Sequence, residues 1–286
     1  MGQLRERMEA DLKLAGYSPQ TQKIYLLYAR RFARHFMRSP EELGEAEVRT
    51  FMLHLVEERG ISRETYRQVR SALRFLYFQT LRRPVDVEWL PTCRGAKRLP
   101  VVLSGTEVAA LLSAVRSLKY RTLLMALYGG GLRISEACRL RPGDIDARRM
   151  VIRVYAGKGR VDRYTVLPRR LLGELRDYWR LDRPEGEWMF PGHTRAGHVS
   201  AVSARKVFYR ALAAASIRKQ VTPHVLRHSF ATHLIEGGVD VTVVQALLGH
   251  ASLRATGVYT HVSTEHVGRT RSPLDLLGSP AASVLG

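Results

Sequence analysis

Residues 129–167 read GGGLRISEACRLRPGDIDARRMVIRVYAGKGRVDRYTVL, and within this segment the spacing of apolar residues changes from a helical to a strand pattern. A helical pattern stops at the three glycines, resumes over Ile134–Leu140 and ends at an Arg-Pro-Gly-Asp turn. Two short apolar segments, Val151–Tyr155 and Tyr164–Leu167, then flank the Gly-Lys-Gly turn at residues 157–159. This arrangement predicts a β-hairpin, and therefore a small antiparallel sheet in a mainly helical region.

The first ninety residues predict a bundle of helices. Ser18 is placed to cap a helix whose first position is Pro19. Apolar residues follow helical spacing from there, again over Glu45–Glu58, where Gly60 stops the pattern, and a third time from about Ser62. We expect the aromatic stripe to form the core of the bundle. Its main members are Tyr25, Tyr28, Phe32, Phe36, Phe51, Tyr66, Phe75, Tyr77 and Phe78.

Composition breaks divide the chain into two domains, a linker and a tail. Residues 1–90 are the helical domain, and residues 91–103 are a Pro-containing basic linker. The second domain, 104–262, opens with a capping box over Ser104–Glu107 and is helical apart from the hairpin. The fold class expected is mainly α, a helical N-terminal domain followed by a mostly helical α+β domain. Residues 263–286 form the tail.

The chain is strongly basic. It has 46 Lys and Arg against 26 Asp and Glu among 286 residues, a net charge of +20, and 39 of the cations are arginines. Residues 1–94 carry a net +5 and the remainder +15. This excess favours a polyanionic partner, and 45% apolar residues exclude a disordered basic tail. Two cysteines, the absence of an apolar run of about 18 residues and the charged N-terminus predict a soluble, intracellular protein.

Two candidate site segments lie in the opening stretch. In the first, Arg133 follows a glycine turn at the start of a helix, and Glu136 is within side-chain reach three residues later. In the second, Lys158 stands between two glycines at the hairpin tip, where the backbone can approach a ligand closely. Each segment alone is also typical of a solvated turn.

Two further candidate segments follow in the last third of the domain. His224 and Arg227 are three residues apart, so on a helix they share one face near the N-terminal end, which favours anions. His250 follows a Leu-Leu-Gly sequence, and Tyr259 comes nine residues later. A single histidine or tyrosine of this kind is usually structural, but the four segments together form an ordered set.

The order Arg, Lys, His-x-x-Arg, His, Tyr is similar to that of the tyrosine recombinase (phage integrase) family. The flanking words GLRISEACRL, AGKGRVDR, HVLRHSFATHL, LLGHAS and YTHV resemble the family as well. The overall plan resembles the bacterial Xer-type and integron-type members, which implies that residues 1–90 are a core-binding, SAM-like domain and 104–262 the catalytic domain. The resemblance also implies a cytoplasmic, bacterial-type protein associated with the nucleoid.

The resemblance implies a role for each polar residue. Tyr259 would attack a DNA phosphate to give a 3′-phosphotyrosine, and Arg133 and Arg227 would clamp the non-bridging oxygens. Lys158 would protonate the departing 5′-oxygen, His224 would act as general base or proton shuttle, and His250 would donate to the phosphate. Glu136 would support Arg133. Candidate DNA contacts, not assigned a chemical step, are Arg94, Lys97, Arg98 and Arg160.

The implied reaction needs no metal, nucleotide or other cofactor, and the sequence has no phosphate-binding GxxxxGK[ST] loop. His224, His228 and His233 raise the possibility of a zinc site, and His224 and His228 have the i, i+4 spacing of a helical metal pair. The zinc site is disfavoured because no third Cys, Asp or Glu ligand lies near that pair in sequence. We instead expect His228 and His233 to be structural and Phe230 to lie in the core. Alternative functions are DNA relaxation of the type IB topoisomerase kind and non-catalytic DNA binding by an accessory factor.

The expected partner is double-stranded DNA, because the stretch Phe190–Thr222 shows no surplus helical insertion of the integron type. The resemblance implies a homotetramer on paired sites, or a heterotetramer with a related recombinase. It also implies that the tail docks in trans, with Val267 and Leu274-Asp275-Leu276-Leu277 as its apolar anchors. Two biological roles are compatible with the resemblance, chromosome-dimer resolution and mobile-element movement.

Overall fold

The computed structural model describes residues 2–92, 101–155, 162–193, 197–249 and 272–277. The chain divides into two compact units, Met1–Arg98 and Leu99–Gly286. Both are mainly helical, and the second contains a small antiparallel sheet, so the predicted fold class is confirmed. Within the described ranges, no helix is both long enough and apolar enough to cross a membrane.

The first unit is built from helices, and the capping residues that start two of them can be recognised in the sequence. Ser18 accepts a hydrogen bond from the Thr21 amide with Pro19 as the first helical residue, and Ser62 caps its helix through the Thr65 amide. The helices are α1 (Gly2–Leu14), α2 (Pro19–Phe36), α3 (Glu45–Glu57), α4 (Arg63–Phe75) and α5 (Val85–Glu88).

Aromatic side chains fill the core of this unit between α2 and α4. Phe32 is fully buried, and its ring meets the Phe51 ring edge-on at 5.3 Å between centroids. Tyr77 is also fully buried, and its hydroxyl donates to the carbonyls of Pro40 and Leu43. The prediction that the aromatic stripe is core is therefore confirmed for these positions.

Phe78 is the exception, and its assignment to the core was wrong. The side chain is 46% exposed. Helix α4 ends at Phe75 and the chain continues as a π turn over Leu76–Thr80, where the Leu81 amide bonds to the Leu76 carbonyl. Because a π turn takes more residues per turn than an α-helix, the helical spacing read from the sequence no longer applies there.

The second unit surrounds one buried helix. Its elements are α6 (Gly105–Ser113), α7 (Leu118–Gly129), α8 (Ile134–Cys138), β1 (Ile145–Asp146), β2 (Val151–Val154), β3 (Arg163–Val166), α9 (Arg169–Asp182), α10 (Ala201–Ala214), α11 (His224–Glu236), α12 (Val241–Leu248) and α13 (Pro273–Leu276). Every residue of α7 from Thr122 onward is buried, and the helix contacts α6, α8, α9, α10 and α11. A helix that is buried on all sides forms the centre of such a unit.

The sheet has the order β1-β2-β3, and both pairings are antiparallel. Ile152 faces Thr165 and Val154 faces Arg163 across the β2–β3 pair, as expected for the predicted hairpin. The two-residue strand β1 was not predicted. It is too short to show the alternation by which a strand is recognised in sequence.

The described part of the tail packs on its own unit. Leu274 is fully buried, and the Ser272 hydroxyl donates to the Gly129 carbonyl at 2.8 Å. The Asp275 carboxylate accepts from the amides of Arg169 and Arg170 at the start of α9. Of the predicted anchors, Leu274, Asp275 and Leu277 thus contact their own unit, whereas Val267 lies outside the described residues.

Candidate active site

Arg133 and Glu136 close the first turn of α8. The Arg133 amide donates to one carboxylate oxygen of Glu136 at 2.8 Å, and its Nη1 donates to the other oxygen at 2.8 Å. Glu136 thereby satisfies an amide that the helix leaves free. The Arg133 side chain remains 27% exposed, so it can also reach a ligand.

Arg227 approaches the same carboxylate from α11. Its residue is 2% exposed, and its Nη1 lies 3.8 Å from Glu136 Oε2. The guanidinium donates to the Gly131 carbonyl at 2.6 Å and to the Leu248 carbonyl at 2.5 Å. Gly131 has φ +60°, and a Cβ there would lie 2.6 Å from the Phe230 ring, so only glycine fits between α7 and α11.

Arg163 is a third arginine on this carboxylate, and sequence reasoning did not single it out. Its Nη1 and Nη2 donate to the two oxygens of Glu136 at 3.1 and 2.8 Å. Its Nε donates to the Leu247 carbonyl at 2.8 Å. Alternation along the strand places Arg163 on the same face as Thr165, but only the structure shows that Thr165 is fully buried.

We call Arg133, Glu136, Arg163 and Arg227 the Glu136 cluster. Burial by itself would raise the pKa of Glu136, but hydrogen bonds and charge from Arg163, with further hydrogen bonds from Arg133, lower it to about 2. The carboxylate is therefore ionised at neutral pH. One negative charge stands against three guanidinium groups, which leaves a positive surplus that suits an anion.

His224 is the first residue of α11, three positions before Arg227, and its side chain is exposed. The N-terminal end of a helix of this length favours anions near it. The His224 ring meets the His228 ring edge-on at 4.5 Å between centroids. Burial, and then the charge of Arg227, lowers the pKa of His228 below its ordinary value.

His233 lies where α11 contacts α7. Its Nδ1 shares a 2.8 Å hydrogen bond with the Tyr128 hydroxyl, and burial lowers its pKa. Phe230 is fully buried, as predicted. Across the ranges that the structure describes, no three His, Cys, Asp or Glu side chains are grouped as a metal site.

The structure brings four of the predicted site residues to one region, namely Arg133, Glu136, His224 and Arg227. The other candidates lie outside the described residues. They are Lys158, Arg160, His250 and Tyr259, together with the linker cations Arg94, Lys97 and Arg98. Gly249, the residue before His250, lies against the Glu136 cluster. A Cβ on Gly249 would lie 2.7 Å from Arg163 Cδ.

Two family models match the chain. Residues 102–266 match the phage integrase family, and residues 4–87 match the N-terminal SAM-like domain of phage integrases. The two matches together follow the division of the chain into a first and a second unit.

Named relatives and solved structures agree with these matches. The chain is 44% identical over 283 residues to "Putative integrase/recombinase y4qK" of Sinorhizobium fredii, covering 98% of this chain and 91% of the relative. It is 36% identical to the tyrosine recombinase XerA of Thermococcus kodakarensis, covering 95% of each chain. The crystal structure of a lambda integrase dimer bound to a COC′ core site shares the fold, with a TM-score of 0.72 at 18% identity over 92% of this chain and 99% of that one.

Proposed function

Because this chain belongs to the phage integrase family of tyrosine recombinases, we propose that Arg133 and Arg227 of the Glu136 cluster hold the scissile phosphate of duplex DNA. The protein is a tyrosine-type site-specific recombinase. We also propose which residues perform the reaction, which substrate they act on and in which assembly they do so.

The observation that carries the proposal is the convergence of Arg133 and Arg227 on one carboxylate. Their guanidinium groups lie 2.8 and 3.8 Å from Glu136, although the two arginines are 94 positions apart in sequence. A phosphodiester gains negative charge on its non-bridging oxygens as the five-coordinate transition state forms. Fixed guanidinium donors at that position lower the barrier because they need no rearrangement when the charge develops.

Tyr259 is the proposed nucleophile. A free tyrosine has a pKa of about 10, so its hydroxyl needs a proton acceptor and positive surroundings before it attacks. The Tyr259 oxygen forms a bond to phosphorus as the bond from phosphorus to the 5′-oxygen breaks. His224 accepts the tyrosine proton, Lys158 gives a proton to the leaving 5′-oxygen, and His250 donates a hydrogen bond to the phosphate.

The products of this step are a 3′-phosphotyrosine and a free 5′-hydroxyl. The covalent bond keeps the free energy of the phosphodiester, so a 5′-hydroxyl from a second DNA strand can attack it and release Tyr259. Strand exchange is the same reaction run in reverse on a new partner, which is why we assign no cofactor to it.

We further propose that the substrate is double-stranded DNA and that four protomers act on two paired sites, either as a homotetramer or with a related recombinase. The net charge of +20 supports a grip on phosphates along the duplex, and the linker cations Arg94, Lys97 and Arg98, with Arg160, are candidates for it. A protein working on chromosomal sites would be cytoplasmic and associated with the nucleoid.

The covalent intermediate provides the test. Duplexes that the protein binds are first recovered from a randomised DNA pool, and the enriched sequence is rebuilt with a nick that lets the cleaved end diffuse away. We expect a protein–DNA adduct stable to denaturing gel electrophoresis, and its loss in Tyr259→Phe, because phenylalanine has no oxygen to attack phosphorus.

Tyr155→Phe is the matched control, since Tyr155 is 53% exposed and no chemical step is assigned to it. An adduct that persists in Tyr259→Phe would contradict the assignment of the nucleophile. Absence of any adduct with the wild-type protein would contradict the catalytic proposal and favour a DNA-binding accessory factor. Relaxation of supercoiled plasmid without exchange between two sites would favour the topoisomerase alternative.

A further inference from the structure

Arg163 joins three elements of the second unit through one side chain. It extends from β3 to Glu136 on α8 and to the Leu247 carbonyl at the end of α12. Its side chain is 10% exposed, against 27% for Arg133. All three of its guanidinium nitrogens donate within the protein, to Glu136 and to the Leu247 carbonyl.

The bond between Arg163 and Glu136 fixes the orientation of the carboxylate. Two parallel N–H donors meet the two oxygens, at 3.1 and 2.8 Å, and this bidentate geometry allows little rotation. Arg133 contacts the same two oxygens with one amide and one Nη1. The direction of the Arg133 guanidinium therefore depends on a carboxylate whose plane Arg163 sets.

The end of α12 is held by the same set of arginines. The last carbonyls of a helix have no partner within the helix, and here Leu247 accepts from Arg163 while Leu248 accepts from Arg227. Gly249 follows in the left-handed region at φ +62°, directly against the Arg163 side chain. Arg163 thus links the position of Glu136 to the point where the chain continues toward His250.

We propose that Arg163 is a positioning residue of the recombinase: it holds Glu136, and through it Arg133 and the end of α12, in the arrangement that receives the scissile phosphate. This role rests on the function proposed above. It accounts for the motif AGKGRVDR, of which only the lysine had a chemical role, by giving its last arginine a place behind the site.

A purely structural role for Arg163 makes different predictions. Loss of a buried, paired cation would then lower folding stability, and whatever protein remained folded would cleave DNA normally. A positioning role requires that the folded and DNA-bound variant reacts slowly. The reaction of bound complexes therefore has to be measured separately from folding and from binding.

The test compares Arg163→Met, Arg163→Lys and Arg180→Met with the wild type. Arg180 is an exposed arginine of α9 paired with Asp177, so its replacement removes the same charge without touching Glu136. Adduct formation on the nicked duplex is followed with protein in excess of the measured Kd, so that the first-order rate reports cleavage. Thermal unfolding of each variant gives the folded fraction.

In Arg163→Met we expect the first-order rate to fall about 10- to 100-fold, because a small displacement of reacting groups has effects of this size. The Kd for the duplex should change little, Arg163→Lys should recover part of the rate, and Arg180→Met should react like the wild type. The pH profile should also differ. Without Arg163, burial raises the pKa of Glu136, so the rate of Arg163→Met should fall on acidification at a higher pH than that of the wild type.

The groups that face Glu136 in the described structure, besides Arg163, are the guanidinium groups of Arg133 and Arg227, and both are present in the variant as in the wild type. Equal rates and superimposable pH profiles for folded Arg163→Met and wild type would overturn the positioning role. If instead the wild type forms no adduct, the proposed function fails first, so the two failures are distinguishable.

Discussion

At the scale of single residues, the site depends on a buried carboxylate surrounded by cations. Glu136 is 14% exposed and lies within 4 Å of three guanidinium groups. Removing the negative charge would leave those cations facing one another in a region with little water, where repulsion is weakly screened. The carboxylate therefore both stabilises the fold and allows two arginines to be brought together for an anion.

Glu136→Gln tests this balance through pH. The folded pKa is lowered to about 2 from the ordinary 4.5, so the contribution of the charged form to stability is present above pH 4.5 and is lost as pH falls toward 2. A shift of this size corresponds to about 3 kcal/mol. We expect the variant to be less stable than the wild type by roughly that amount at pH 7, and the difference to shrink as pH falls below 4.5.

Urea unfolding of both proteins at several pH values measures the difference directly. Other carboxylates titrate in the same range, for example Glu107, whose pKa is lowered by its bond to Lys219, but they do so in both proteins. A difference in unfolding free energy that stays constant with pH would mean that the charge of Glu136 is not what stabilises the unit.

At the scale of secondary structure, the site is assembled from helix ends. Helix α8 begins at the Arg133–Glu136 pair, α11 begins at His224, and α12 ends at carbonyls bound by Arg163 and Arg227. Helix ends carry unpaired backbone groups and partial charges, so charged side chains gather there without a dedicated scaffold. The glycine that ends α12 completes this junction.

Gly249→Ala tests the junction, with Gly238→Ala as its matched control. Both glycines have positive φ, +62° and +82°, but a Cβ at Gly249 would lie 2.7 Å from Arg163 Cδ, whereas one at Gly238 meets nothing within 4 Å. Each change should cost about 1 kcal/mol of stability, since an L-residue adopts this conformation less easily than glycine.

Only Gly249→Ala should also slow adduct formation, because it alone displaces Arg163 from Glu136. Chemical unfolding and the nicked-duplex assay give the two quantities on the same preparations. If the two variants lose equal stability and cleave at equal rates, the contact between Gly249 and Arg163 has no part in the reaction.

At the scale of the whole molecule, we expect net charge to set the strength of DNA binding. The four residues of the Glu136 cluster account for only a small part of the net charge of +20. The remaining cations are available for contacts with the duplex backbone, which add affinity but carry no sequence information. The second part of the chain, with +15 of the excess after residue 94, should contribute most of these contacts.

Binding to a duplex should therefore weaken steeply with salt. For six or more phosphate contacts the affinity falls about 1000-fold or more between roughly 50 and 200 mM salt, because releasing the counterions condensed on DNA gains less free energy when the bulk salt concentration is higher. Fluorescence anisotropy of a labelled duplex measures the slope, and a scrambled duplex should give a similar one. A change below about tenfold over this range would show that phosphate contacts contribute little.

The sequence by itself determined the features that depend on neighbours along the chain. Helix starts at Ser18, Ser62 and Ser104 follow from side chains that cap amides two or three residues away, and the hairpin follows from alternation around a glycine turn. The order of the polar motifs also identified the family before any fold was known. These features can be predicted from the sequence because each depends on only a few neighbouring residues.

The tertiary structure alone decided how distant residues meet. Arg163 and Glu136 are 27 positions apart and Arg227 and Gly131 are 96 apart, so no local spacing reveals either contact. The packing of whole elements likewise decides that Phe78 in the π turn is exposed and that Leu274 is buried against its own unit. A guanidinium is long and makes several hydrogen bonds, and its partners are fixed only once the helices and the sheet have packed together.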